Sequence, residues 1–114
     1  MRDWILYADD ILNACDNIEK YIADHSYESF IEDSRTRDAT IHNLMIIGEA
    51  VKNIPFSVVD DYTDVDWRKI AGLRDVIAHS YFQIKPNILW NILISKIKPL
   101  KEIVTIMLED RDNE

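Results

Sequence analysis

The chain has 114 residues, 47% of them hydrophobic, with only two glycines and three prolines. That is the size of one small domain, residues 1–114, and so few turn residues argue against a β sandwich. A formal net charge of −8 excludes a general nucleic-acid coat, because phosphates would be repelled over most of the surface, but it leaves room for a local basic pocket.

A single cysteine, Cys15, cannot close an intrachain disulfide, which suits a reducing cytoplasm. Met1–Trp4 reads as carrying no signal peptide, and no apolar run approaches the roughly 20 residues that span a bilayer. The expectation is a soluble cytoplasmic protein with no membrane partner.

In chain order, Asp3–Asp24 predicts the first helix. Trp4, Ala8, Ile11, Cys15, Ile18 and Ile22 recur at alternating spacings of three and four, one apolar stripe with near-heptad regularity. Cys15 lies on that stripe as a buried thiol. Tyr27–Asp33 is a candidate short helix. Ser34 is the expected N-cap of a second long helix that runs to about Asn53 and stops at Pro55. Gly48 lies inside it. A glycine there costs up to about 1 kcal/mol against alanine, so another backbone is expected to approach closely.

Phe56–Asp66 reads as an acidic loop, with Asp64 or Asp66 capping the next helix. That helix spans Trp67 to about His79, and Tyr81–Lys85 connects it to a last helix. Pro86 suits the first turn of this last helix, which runs to about Glu109 and is bent or broken near Pro99. The tail from Asp110 to Glu114 is expected to fray. The sum is an all-α, up-down bundle of four main helices plus the candidate short one.

Metal chemistry finds no support. His25, His42 and His79 have no ligand spacing among them, and one cysteine builds no zinc site. The aspartates at 60, 61, 64 and 66 lack the glycine and terminal glutamate of an EF-hand, so a solvated charged loop is the expectation. There is no phosphate-binding glycine loop and no Gly-x-Ser-x-Gly elbow. His25 and His42 read as loop and surface residues. No cofactor is expected.

What remains is "RDVIAHSY", residues 74–81. Asp75 and His79 are four apart and can touch on a helix. Arg74 and Tyr81, seven apart, would share a face. Arg74 and His79, five apart, diverge on a regular helix and converge only at a helix end or across a two-fold axis. An imidazole can take a proton from a ribose 2′-hydroxyl or give one to a leaving oxygen, and an arginine can hold the phosphate between them. The same residues also fit a plain helix end, with a solvated arginine and a histidine favoured by the helix dipole.

Arg74-x-x-x-x-His79-x-Tyr81 resembles the signature of the HEPN superfamily. "DATIHNLMIIGEAVKNIP" (38–55), with Gly48-Glu49-Ala50 at its centre, and "DWRKIAGLRDVIAHSYFQI" (66–84) resemble two helices of its HepT-like branch, and Trp90 falls where that branch often has an aromatic. The resemblance implies an all-α homodimer in which the motifs of two subunits face each other. It implies the toxin of a type VII-like toxin–antitoxin pair, a metal-independent endoribonuclease whose partner is a small nucleotidyltransferase. By that resemblance Arg74 and His79 are catalytic, Glu49 supports them by bracing Arg74, and Tyr81 is the site that receives AMP; Ser80, whose hydroxyl can bind phosphate or base, and Asp75, which can orient His79, are the other supporting residues expected. Asp75 stands where many members carry a polar residue, often asparagine. The alternative is a non-catalytic partner and modification substrate of such a transferase.

Overall fold

The computed structural model describes residues 3 to 113, so Met1, Arg2 and Glu114 lie outside it. Among the described residues the chain is all-α, with no strand. The helix α1 spans Trp4–Ile22 and starts at Asp3, whose carboxylate accepts from the Ile5 amide. A six-residue helix, α2 (Tyr27–Glu32), follows; the expected short element is there, closed by a capping box between Ser26 and Ser29. The next helix, α3, spans Ser34–Asn53. Its cap is Asp33 rather than Ser34. The Asp33 carboxylate accepts from the Thr36 amide at 3.1 Å and from the Thr36 hydroxyl at 2.7 Å, two bonds where a serine would offer one acceptor atom. These bonds hold its carboxyl below the usual carboxylate range.

The segment expected to be a loop holds a one-turn helix, α4 (Phe56–Val59), which buries Val59. Asp66 caps the helix that follows, accepting from the Lys69 amide. That helix is two helices: α5 (Trp67–Ala71) and α6 (Leu73–Ser80), joined at Gly72. A 3-10 turn, Tyr81–Gln83, extends α6. The last predicted helix is also divided, into α7 (Pro86–Ser95) and α8 (Ile97–Asp112). The break falls at Lys96, ahead of Pro99. A proline ring clashes with the carbonyl four residues back, so Pro99 cannot follow a helical Ser95; in the first turn of a fresh helix its missing N–H is harmless. Far from fraying at Asp110, α8 continues to Asp112.

The bundle is built on α3, which lies between α1 on one side and α5–α6 on the other, with α8 against the far side of α1. The predicted stripe of α1 is the core, with Ala8, Ile11, Cys15 and Ile18 fully buried. Burial, reinforced by the charges of Glu19 and Asp16, pushes the Cys15 thiol up to about 12, the pattern of an inert structural thiol. Phe30 of α2 is fully buried and stacks on Trp90 of α7 at 4.9 Å, so Trp90 is a packing residue. Among the described residues no helix is long and apolar enough to cross a membrane.

Gly48 is where α3 meets the "RDVIAHSY" helix. A Cβ placed there would sit 2.9 Å from the Arg74 nitrogen and 3.1 Å from the Ile70 oxygen. Backbone atoms cannot yield as a flexible side chain would, so the close approach expected from sequence is the reason for the glycine.

Candidate functional site

The site begins at that crossing. With Gly48 against its first turn, α6 runs along α3 in the opposite direction, and two polar pairs bridge the helices. At one end Arg74 Nε lies 3.2 Å from Glu49 Oε2. At the other the Tyr81 hydroxyl donates to Asp38 Oδ1 at 2.5 Å. The pattern follows from helix geometry. Asp38 and Glu49 are eleven apart, about three turns, and Arg74 and Tyr81 are seven apart, about two, so each pair of positions shares a face. Long side chains take up the difference in rise.

Arg74 is half-exposed, between two carboxylates. Glu49 takes Nε, and Asp75 Oδ1 stands 3.4 Å from Nη1. The expected Asp75–His79 contact does not form: Asp75 turns back to Arg74, whose full charge attracts it more strongly than a neighbouring imidazole. His79 is exposed and makes no hydrogen bond or ion pair among the described residues. No bond joins Arg74 and His79 among the described residues, and five residues apart on α6 they occupy different sectors of the helix.

Arg74 and Glu49 line a groove of about 290 Å³ that also takes in His42, Tyr7 and Asp10. Ser80 faces elsewhere. It lines a separate apolar groove of about 270 Å³ beside Val76, Ile84 and Ile88, so it does not join Arg74. Tyr81 is partly exposed. Its hydrogen bond to Asp38, and then desolvation and the Asp38 charge, push its hydroxyl above the ordinary tyrosine range, with Arg37 acting in the other direction. The hydroxyl stays protonated at neutral pH and reacts as a nucleophile only if a base takes its proton.

The structure thus gathers Arg74, Asp75 and Glu49, ties Tyr81 to Asp38, and leaves His79 and Ser80 apart. Sequence reasoning passed over Asp38 and assigned no role to His42. The signal available was the spacing of Asp38, His42 and Glu49, which recur at four and seven on one face of α3. Among the described residues no group of three histidine, cysteine or acidic side chains is placed to hold a metal ion.

Comparison with known proteins bears on this arrangement. The family model described as "Ribonuclease HepT-like" matches residues 11–107. "Putative RNase MJ0127" of Methanocaldococcus jannaschii is 39% identical over 99 residues, covering 86% of this chain and 82% of that protein. "Probable ribonuclease HepT" of Thermococcus cleftensis is 37% identical over 95 residues, covering 83% and 86%. "Putative RNase TTE0752" of Caldanaerobacter subterraneus is 34% identical over 103 residues, covering 90% and 92%. No solved structure matches. With the family model spanning most of the chain and relatives aligned along most of theirs, the chain belongs to the HepT-like ribonuclease family of the HEPN superfamily.

Proposed function

We propose that this chain is a metal-independent endoribonuclease, the cytoplasmic toxin of a type VII-like toxin–antitoxin pair, acting as a homodimer. The observation that carries the reading is Arg74. Glu49 holds its guanidinium by Nε at 3.2 Å, which leaves the Nη edge pointing outward to clamp a phosphate with only Asp75 to displace. His79 transfers the proton. One histidine takes it from the ribose 2′-hydroxyl, the 2′-oxygen attacks the adjacent phosphorus, and the 5′-oxygen leaves with a proton from an acid. Two chains supply two copies of His79, so base and acid are both available in a composite site.

The apolar groove beside Val76 and Ile88, both more than half exposed, offers a face for the second subunit. Ser80 lies on that face and supports the site only from there. The experiment is incubation of purified protein with RNA in EDTA. Cleavage leaving 2′,3′-cyclic phosphate ends, abolished by His79→Ala, supports the reading; an equally active His79→Ala variant refutes it.

A second reading concerns control. Tyr81 is partly exposed with its hydroxyl hydrogen-bonded to a carboxylate, and the chain's charge of −8 suits protein partnership. On this reading Tyr81 accepts AMP from a small nucleotidyltransferase, either to silence the nuclease or as the sole role of a non-catalytic partner. Mass spectrometry after incubation with ATP, Mg²⁺ and the transferase reads it: a gain of one or more AMP masses, lost in Tyr81→Phe, supports it, and an unchanged mass beside an active transferase refutes it.

A further inference from the structure

Phe82 is the most exposed large hydrophobic residue among those described, at 96% of its surface, against 72% for Phe56. It lies one turn beyond His79 in the chain, on the 3-10 turn that ends the motif helix. The ring has one aromatic neighbour among the described residues. Tyr81 meets it edge-on, with centroids 5.1 Å apart and planes at 87°, and Tyr81 is itself anchored to α3 through Asp38. An aromatic pair in this arrangement leaves a flat π face open to solvent.

Nor does Phe82 belong to the apolar groove next to it. That groove is lined by Val76, Ser80, Gln83, Ile84, Lys85 and Ile88 among others, and neither Tyr81 nor Phe82 takes part.

The segment that carries the ring is also unlike the rest of the chain in charge. Although the net charge is −8, there is no aspartate or glutamate from Val76 to Lys101, a stretch with four lysines, at 85, 96, 98 and 101. Lys101 is occupied by Asp16 and Glu19. Lys85, three residues past Phe82, is exposed and forms no ion pair among the described residues. Asp38, which Tyr81 touches, has its carboxylate on the Tyr81 hydroxyl.

We infer that Phe82 is a stacking platform for an unpaired base of an RNA strand whose phosphate lies at Arg74 and His79, so that the site takes single-stranded rather than duplex RNA. An exposed aromatic face with a basic residue close by in the chain is the chemistry of single-strand binding: every base has a π face, and cations hold the backbone beside it. A base in a duplex is already stacked on both sides and cannot be offered to the ring. The inference rests on the ribonuclease reading for the position of the phosphate.

Binding is measured separately from cleavage, with the full chain in its native assembly and His79→Ala as the common background. The probe is an unstructured oligoribonucleotide carrying one 2-aminopurine, whose fluorescence is quenched by stacking, alone or locked in a duplex. The expected result is quenching with the single strand and little with the duplex. Phe82→Ala and Phe82→Leu should both weaken single-strand binding by on the order of tenfold, and Phe82→Trp should restore it. Light scattering should show the same assembly for all variants.

The inference is overturned if the parent does not bind, if Phe82→Ala binds as the parent does, or if leucine restores binding as well as tryptophan. It is also overturned if Phe82→Ala breaks the assembly, which would make the ring part of a contact with a second copy. Should Phe82-dependent binding hold while the chain with His79 intact leaves every RNA uncut, the ribonuclease reading fails and the platform stands.

Discussion

Among the described residues, Lys101 and Arg74 each stand between two carboxylates, and the two arrangements differ. Lys101 of α8 reaches across to α1, where Asp16 and Glu19 receive its ammonium at 2.7 and 2.8 Å. Those hydrogen bonds, Asp16's first, raise it above the ordinary lysine range. Arg74 has looser partners, Glu49 at 3.2 Å and its own neighbour Asp75 at 3.4 Å. A lysine ammonium is a point charge, and two carboxylates close around it. An arginine presents five donors in a planar fork, so two carboxylates leave an edge free. Both arrangements join helices, α8 to α1 and α6 to α3, but only the second leaves part of the cation uncovered.

The widest test of that contrast replaces each cation. Arg74→Ala should reduce RNA cleavage by about 10²–10³-fold, the range for loss of one donor to a developing anionic charge. Its Tm should stay near that of the wild type, because exposed ion pairs add little stability. Lys101→Met should do the reverse, leaving cleavage intact. A cleavage defect in Lys101→Met equal to that of Arg74→Ala would erase the distinction.

Next in size is the seat on which the Arg74 side rests. Gly48→Ala sets a methyl against the Arg74 nitrogen, and the forced shift should cost about 1–3 kcal/mol, partly offset by up to about 1 kcal/mol of helix propensity. Denaturant unfolding measures it. A Gly48→Ala variant as stable as the wild type, with full cleavage, would show that the helices can separate without harm.

The Lys101 tie predicts a smaller effect with a definite pH dependence. A group whose folded pKa is raised stabilises fully below its unfolded value, ordinarily 10.5 for lysine, and loses that contribution as pH rises through the folded value. Lys101→Met should therefore lower Tm by a few degrees at neutral pH, and the gap to wild type should narrow only in the alkaline limb above that value. A gap independent of pH up to the alkaline limit would assign the loss to packing of the lysine stem instead.

The smallest effect sharpens the Arg74 side. Asp75→Asn removes one of its two carboxylates and should lower KM for RNA by up to about fivefold, the scale of one exposed ion pair. A raised KM would mean that Asp75 helps to orient the guanidinium.

Much of this architecture is readable in the residues. The α1 stripe from Trp4 to Ile22 names its own buried face, because 3.6-residue periodicity follows from backbone geometry alone. Gly48 marked a close crossing because mid-helix glycine has a cost that packing must repay. The boundaries were less legible. Asp33 took the cap from Ser34 because a carboxylate offers two acceptors, Gly72 divided α5 from α6, and Pro99 moved its break upstream to Lys96. Each depends on which competing local bond is satisfied, and periodicity does not report that.

The site divides the same way. The sequence by itself determined an all-α chain, the HepT-like family, and the presence of Arg74, His79 and Tyr81 on one short segment, since these follow from residue identity and spacing. Only the tertiary structure decided their partners. Asp38 and Glu49 lie at least 25 residues away in the chain from the side chains they hold, and such pairs are set by how α3 and α6 cross at Gly48. Asp75, four residues from His79, went to Arg74, whose permanent charge stands next door in the chain.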